Sequence, residues 1–243
     1  MNIERAFRFV FEDKEWITKL LIAIVMSVLT FLILPAFILL GYMIMILRRV
    51  MRVDSVPLPE WADYGKLLRD GFFVAVAQFI WTLPFLIVLF IGVGATIGFS
   101  SLTDVSEGLA TAGAMGSFTL VFCLALLFGI ALLFITPALY IQYAIKDDFG
   151  AMFRFGEIFE IVRNHLADIL VVFLVTVAAT FVISLITGIL AVIPCLGWIA
   201  AFVIGVAFGP YLMFVSGHLY GQIARKVLGE DPATYLPKEP DMM

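Results

Sequence analysis

Residues 169–224 read ILVVFLVTVAATFVISLITGILAVIPCLGWIAAFVIGVAFGPYLMFVSGHLYGQIA, 56 consecutive positions without an Asp, Glu, Lys or Arg. A helix needs roughly 20 apolar residues to cross the hydrocarbon core of a bilayer, so this run is long enough for two crossings. Ile193-Pro194-Cys195-Leu196-Gly197 marks a tight turn between them. Three further uncharged runs lie upstream: Leu20–Leu47, Gly71–Thr103 and Gly108–Ile145, of 28, 33 and 38 residues. The composition agrees. Of the 243 residues, 63% are apolar and only 14% charged, against about 25% charged in an ordinary soluble domain. A soluble globular domain, a disordered chain and a disulfide-stapled secreted module are excluded, and an all-α, polytopic transmembrane bundle remains. The segment before Lys19 is charged throughout, and the apolar run after it exceeds a signal-peptide core. Cys123 and Cys195 fall in or beside apolar runs with no metal-ligand spacing around them, and read as small apolar residues.

Basic residues favour the cytoplasmic side. All fifteen Lys and Arg fall within residues 1–19, 48–70, 146–166 and 225–243, whereas 100–117 and 193–197 contain none. Reading back from the C-terminus, the segments alternate inside and outside until the first apolar run. Residues 1–19 and 48–70 are both basic, so the stretch between them crosses an even number of times. Pro35 lies at its middle, where it removes a helical donor. The expectation is six spans, the first two forming a Pro-marked hairpin, with both termini cytoplasmic. The alternative is five spans, with residues 17–50 as one helix kinked at Pro35.

The polar segments carry patterns of their own. Ile3, Phe7, Val10 and Phe11 recur at helical spacing opposite Glu4, Arg5, Arg8 and Glu12. Met152, Phe153, Phe155, Phe159 and Val162 alternate with Arg154, Glu157, Glu160 and Asn164. Both predict amphipathic helices lying at the inner interface, over 2–12 and 150–165. Residues 60–70 look similar, with Trp61 and Tyr64 suited to headgroup level and Pro57-Leu58-Pro59 ending the helix before them. Tyr64-Gly65-Lys66-Leu67-Leu68-Arg69 echoes Phe155-Gly156-Glu157-Ile158-Phe159-Glu160. Each follows a Pro/Tyr pair, Pro35/Tyr42 and Pro137/Tyr143, which suggests duplication of 17–99 as 117–193 within a single integral domain of residues 1–243.

A longer set of residues points to a family. Ile3-Glu4-Arg5-Ala6-Phe7, Phe11-Glu12-Asp13 with Trp16 and Lys19, Leu40-Gly41-Tyr42 with Arg48, and Leu58-Pro59-Glu60-Trp61 with Tyr64-Gly65 and Asp70-Gly71 resemble the domain-of-unknown-function family 4013. Those are prokaryotic multi-span membrane proteins. The resemblance is specific over residues 1–71 and compositional beyond. It implies the inner membrane of a prokaryote and no particular chemistry.

Few residues suggest a reaction. Ionisable groups within a span mark ion or proton routes, and none stands at mid-span. There is no phosphate loop, paired carboxylate or nucleophile-base spacing, so no enzymatic function, cofactor or metal is expected. Gln78, Gln142 and His218 are the candidates for a polar cavity, each with a plainer reading as an interhelical hydrogen-bonding residue. His218, among small neighbours, is also a weak candidate ligand for a macrocyclic cofactor, and His165 beside Asp168 reads as a helix-end polar cluster. The strongest pattern is glycine. Gly197, Ala201, Gly205, Gly209, Gly217 and Gly221 share a four-residue register broken only at Met213, and Gly94 and Gly98 repeat the spacing. Such residues let helix backbones approach, and the expectation is that Gly205 and Gly209 pack against one neighbouring helix and Gly217 and Gly221 against another or against a second subunit.

Three function classes follow. The first is a non-catalytic assembly, scaffold or membrane-organising protein packing through Gly-rich helix faces. The second is a transporter or channel for an apolar, lipid-like or small uncharged solute. The third is a cofactor-bearing subunit of a larger complex. Expected partners are membrane lipid and a second copy or other membrane subunits, and not nucleic acid.

Overall fold

The computed structural model describes residues 1–52, 58–102 and 106–229, and every regular element among them is helical. Pro57, part of the expected helix stop, and the segment beyond Gly229 lie outside the described residues. The helices are α1 (Ile3–Glu12), α2 (Trp16–Val28), α3 (Leu34–Arg52), α4 (Tyr64–Ser100), α5 (Glu107–Lys146), α6 (Phe155–Ala191) and α7 (Leu196–Leu228). Five of them, α3 to α7, are long and apolar enough to cross a membrane, and α1 with Trp16–Leu32 forms a further apolar pair bent by 101°. The protein is a polytopic helical bundle.

The chain forms two compact units, residues 76–136 and the remainder. In the larger unit α7 is the hub, packing against α1, α2, α3 and α6. Asn2 caps α1 by accepting a hydrogen bond from the Arg5 N–H at 3.0 Å. The helix buries Ala6, Phe9 and Val10. The buried stripe is therefore offset from the expected one: Val10 belongs to both, whereas Ile3 and Phe11 are exposed. After α1, Asp13 accepts the Glu15 N–H at 2.8 Å, a local turn that redirects the chain into α2.

Between α2 and α3 a 3₁₀ turn (Leu29–Leu32) ends at Ile33, whose φ is +68°. The chain reverses here, two residues before Pro35. Pro35 is the second residue of α3, where its missing N–H removes no helical bond. Proline thus starts the second arm rather than breaking a continuous helix, and the single kinked helix is not formed. Lys19, near the start of α2, donates through Nζ to the Leu58 carbonyl at 2.9 Å, and Trp61 Nε1 donates to the Lys19 carbonyl at 3.2 Å. Both residues lie beyond the far end of α3, so the two arms run antiparallel. A positive φ at a β-branched residue is strained, and the turn is exposed, with Ile33 63% accessible.

Of the segments expected as interfacial helices, 2–12 forms the separate helix α1, whereas 150–165 and 60–70 run on into long apolar helices. Residues 150–165 open with a 3₁₀ turn (Gly150–Phe153) and then enter α6, whose backbone breaks at His165 (φ −122°, ψ 21°). Before that break Ile158 and Ile161 are buried while Phe155 and Phe159 are exposed. The 60–70 segment becomes helical at Tyr64 and runs on as α4. The two echoed hexapeptides therefore both begin long helices. The Pro194 turn joins α6 to α7 as expected, with Trp198 Nε1 donating to the Ala191 carbonyl at 2.8 Å.

The smaller unit is an antiparallel pair made of the later part of α4 and the earlier part of α5. Gln78 Nε2 donates to Thr136 Oγ1 at 2.9 Å near one end, and Thr96 and Ser117 hydroxyls meet at 3.0 Å towards the other. Its outer surface is large and apolar, with Phe90 83% and Ile91 68% exposed. In water such a surface would be an aggregation liability; in a bilayer it is matched to its solvent.

Candidate functional site

In the larger unit the charged helix ends gather at one end. Asn2 and Gln222 exchange two hydrogen bonds, the Asn2 N–H to Gln222 Oε1 at 2.7 Å and Gln222 Nε2 to the Asn2 carbonyl at 3.0 Å. Arg225 donates to the Val50 carbonyl at 2.8 Å, and Lys226 reaches both oxygens of Asp168 at 2.7 and 2.9 Å. The starts of α1, α2, α4 and α6 thus share an end with the finishes of α3, α5 and α7.

A cluster of charges centred on buried Arg48 and Asp70 lies there. Arg48, on the last turns of α3, is 8% exposed, and Asp70, on the second turn of α4, is 3% exposed. Arg48 NH1 donates to Asp70 Oδ2 at 2.5 Å, NH2 to Asp147 Oδ1 at 2.6 Å, and Nε to the Ala144 carbonyl at 3.4 Å. The other Asp70 oxygen accepts from the Tyr143 hydroxyl at 2.9 Å and from Arg69 NH2 at 3.0 Å. The guanidinium carbon lies 5.0 Å from the centre of the Tyr143 ring, a cation–π contact. Burying a charge is costly unless it is paired and hydrogen-bonded. Here all three Arg48 guanidinium nitrogens and both Asp70 carboxylate oxygens have partners, so the cluster joins α3, α4 and α5.

A second clamp closes the hairpin. Lys19 Nζ pairs with Asp13 Oδ2 at 2.8 Å, with both residues buried. The Tyr42 hydroxyl donates to the Pro59 carbonyl at 2.7 Å, and its ring stacks on Trp61 with centroids 3.9 Å apart and planes 4° from parallel.

The candidates for a polar cavity do not meet. Gln142 donates to Glu157, which also receives Arg154 NH1 at 3.2 Å. It lines a hollow of about 260 Å³ with Glu160, Asn164 and His165. His218 lines a different hollow of about 460 Å³ with Asn2, Arg5, Gln222 and Arg225. Its ring lies 4.5 Å from that of Phe9, and its Nδ1 is 3.1 Å from Gln222 Nε2. Gln78 belongs to the smaller unit and is held by Thr136. Each amide is satisfied by a polar side chain of a neighbouring helix, Gln142 by Glu157 near the helix ends and Gln78 by Thr136. His165 does stand by Asp168, Nδ1 to Oδ2 at 3.7 Å, in a helix-end cluster with Lys226.

The glycine register divides. A Cβ placed on Gly217 would lie 3.1 Å from the Met43 carbonyl oxygen, and one on Gly221 would lie 2.6 Å from Val50 Cβ, so both abut α3. A Cβ on Gly94, Gly98, Gly205 or Gly209 meets nothing within 4 Å. The expected packing of Gly205 and Gly209 against a neighbouring helix is therefore not made among the described residues. The tightest approach uses glycines outside any register. A Cβ on Gly41 would collide with the Leu67 carbonyl, and one on Gly71 with the Phe37 carbonyl.

The residues that carry the family resemblance are the ones these contacts employ. Asp13, Lys19, Gly41, Tyr42, Arg48, Pro59, Trp61, Asp70 and Gly71 build the two clamps and the α3–α4 crossing. Comparison with curated proteins and with solved structures yields no match. The profile of the proteins of unknown function designated DUF4013 matches residues 16–192, from the first turn of α2 through α6, and the chain belongs to that family.

Proposed function

We propose that the protein is a non-catalytic integral membrane protein that acts by assembly, as a scaffold or organising subunit of a prokaryotic inner membrane, with both termini cytoplasmic. The observation that carries this reading is the divided glycine face of α7. Gly217 and Gly221 abut α3, while Gly205 and Gly209, earlier on the same register that winds around the helix, meet nothing within 4 Å. In lipid, helix association depends on close packing, and small residues make that possible. A second copy or another membrane subunit fits the open part. The buried ionic groups support a structural role, since they are satisfied by one another.

Replacing both Gly205 and Gly209 with leucine is expected to leave the unfolding temperature of the isolated chain within the scatter of wild type. The same pair should dissociate the assembly, seen as a fall in mass by light scattering in mild detergent. A wild-type protein that is monomeric and free of partners under those conditions, or an assembly indifferent to the substitutions, would overturn the reading. Sidedness has its own check. Reporters fused at residue 1 and at residue 243 are expected to score cytoplasmic together, and opposite scores would refute the topology.

A further inference from the structure

We propose that the hollow between the start of α1 and the ends of α3 and α7 binds a phosphate group, as the headgroup of an anionic phospholipid or as free phosphate. The inference is independent of the assembly reading. The hollow measures about 460 Å³, and its lining among the described residues holds Arg5, Arg225 and Lys226 with no carboxylate. That is a local excess of positive charge on a chain whose net charge is −4. Two of these cations have work within the fold: Arg225 donates to the Val50 carbonyl and Lys226 pairs with Asp168. The Arg5 guanidinium has no hydrogen bond or ion pair among the described residues. It stands on the first turn of α1, where the helix dipole adds positive potential.

The polar lining also holds a hydrogen-bond donor. Gln222 Oε1 accepts the Asn2 N–H, which fixes the orientation of its amide and leaves Nε2 as the donor to both the Asn2 carbonyl and His218 Nδ1. With Nδ1 accepting, the proton of a neutral His218 belongs on Nε2. That nitrogen is a donor with no partner among the described residues, on a side chain that is 5% exposed and lines the hollow. The set is thus a guanidinium without a counter-ion, two further cations and an unused N–H donor. Charge-assisted hydrogen bonds from such groups are the means by which phosphate oxygens are held, and basic pockets between membrane helices take anionic headgroups.

The test uses the full-length protein in detergent with phosphatidylglycerol, phosphatidylcholine and inorganic phosphate as probes. Native mass spectrometry is expected to show retention of phosphatidylglycerol over phosphatidylcholine. Arg5→Gln should reduce that retention about fivefold, the effect of one cation near an anionic lipid. Arg8→Gln, whose wild-type side chain pairs with Glu4, should leave it unchanged, and Arg5→Lys should restore most of it. Saturable stabilisation by inorganic phosphate, over chloride at matched ionic strength, that is lost in Arg5→Gln assigns the site to the free anion. Retention of both lipids alike with no phosphate effect, or equal losses in Arg5→Gln and Arg8→Gln, would overturn the proposal.

Discussion

Asp70→Ala is expected to lower the stability of the protein by about 3 kcal/mol, the low end of the range for removing one partner of a buried ion pair. The reason is what remains. Arg48 would stay buried with NH1 facing a cavity where Asp70 Oδ2 now sits at 2.5 Å, and the Tyr143 hydroxyl would lose its acceptor. Asp147 continues to hold NH2, which keeps the loss from being larger. At about 2–4 °C per kcal/mol for a chain of this size, the unfolding midpoint should fall by roughly 6–12 °C in detergent, followed by tryptophan fluorescence at a fixed heating rate. Asp147→Ala removes a carboxylate that is half exposed and should cost no more than about 1 kcal/mol. The double change Arg48→Met with Asp70→Leu should recover much of the loss, since an apolar pair carries no desolvation cost. An Asp70→Ala protein that melts with the wild type would show that the cluster does not hold α3 to α4.

The parts of this structure that were legible beforehand are those written in one dimension. Gaps between charges located the spans, and the distribution of Lys and Arg required an even number of crossings between residues 19 and 48; the hairpin is there. Its turn was misplaced by two residues because proline was read as an interruption, whereas at Pro35 it opens a helix and the reversal falls on Ile33. The ionic clusters were invisible as clusters. Arg48 meets partners 22 and 99 residues away, and a charge near a span end looks the same in sequence whether it faces water or a buried carboxylate. Among the polar candidates, an amide's presence in a span was readable but its partner was not: Gln142 found Glu157 and Gln78 found Thr136. Glycine shows the limit most plainly. A regular register reveals a smooth helix face, yet what covers that face depends on another helix, and α3 covers Gly217 and Gly221 but not Gly205 and Gly209.

That limit gives alanine a sign that depends on the glycine it replaces. Gly71→Ala is expected to destabilise the protein by about 1–3 kcal/mol. Its new Cβ would overlap the Phe37 carbonyl and lie 2.8 Å from the Gly41 nitrogen, so what must yield is backbone and not the end of a side chain. Gly41→Ala meets the same obstacle from the other helix, with the Leu67 carbonyl carbon 2.7 Å from the new methyl. Each substitution alone forces α3 and α4 apart and opens the crossing for the other, so the double variant should cost less than the two single losses together. The displacement also reaches the ion pair, because Asp70 adjoins Gly71 and is bonded to Arg48 across the same two helices. Gly205→Ala has the opposite expectation. It meets nothing within 4 Å, and alanine in a helix interior is favoured over glycine by roughly 0.5–1 kcal/mol. The same chemical change should therefore lower the unfolding midpoint at Gly71 and leave it level or raise it at Gly205. If the two variants shift together, the contact between Gly71 and the α3 backbone is not what joins these helices.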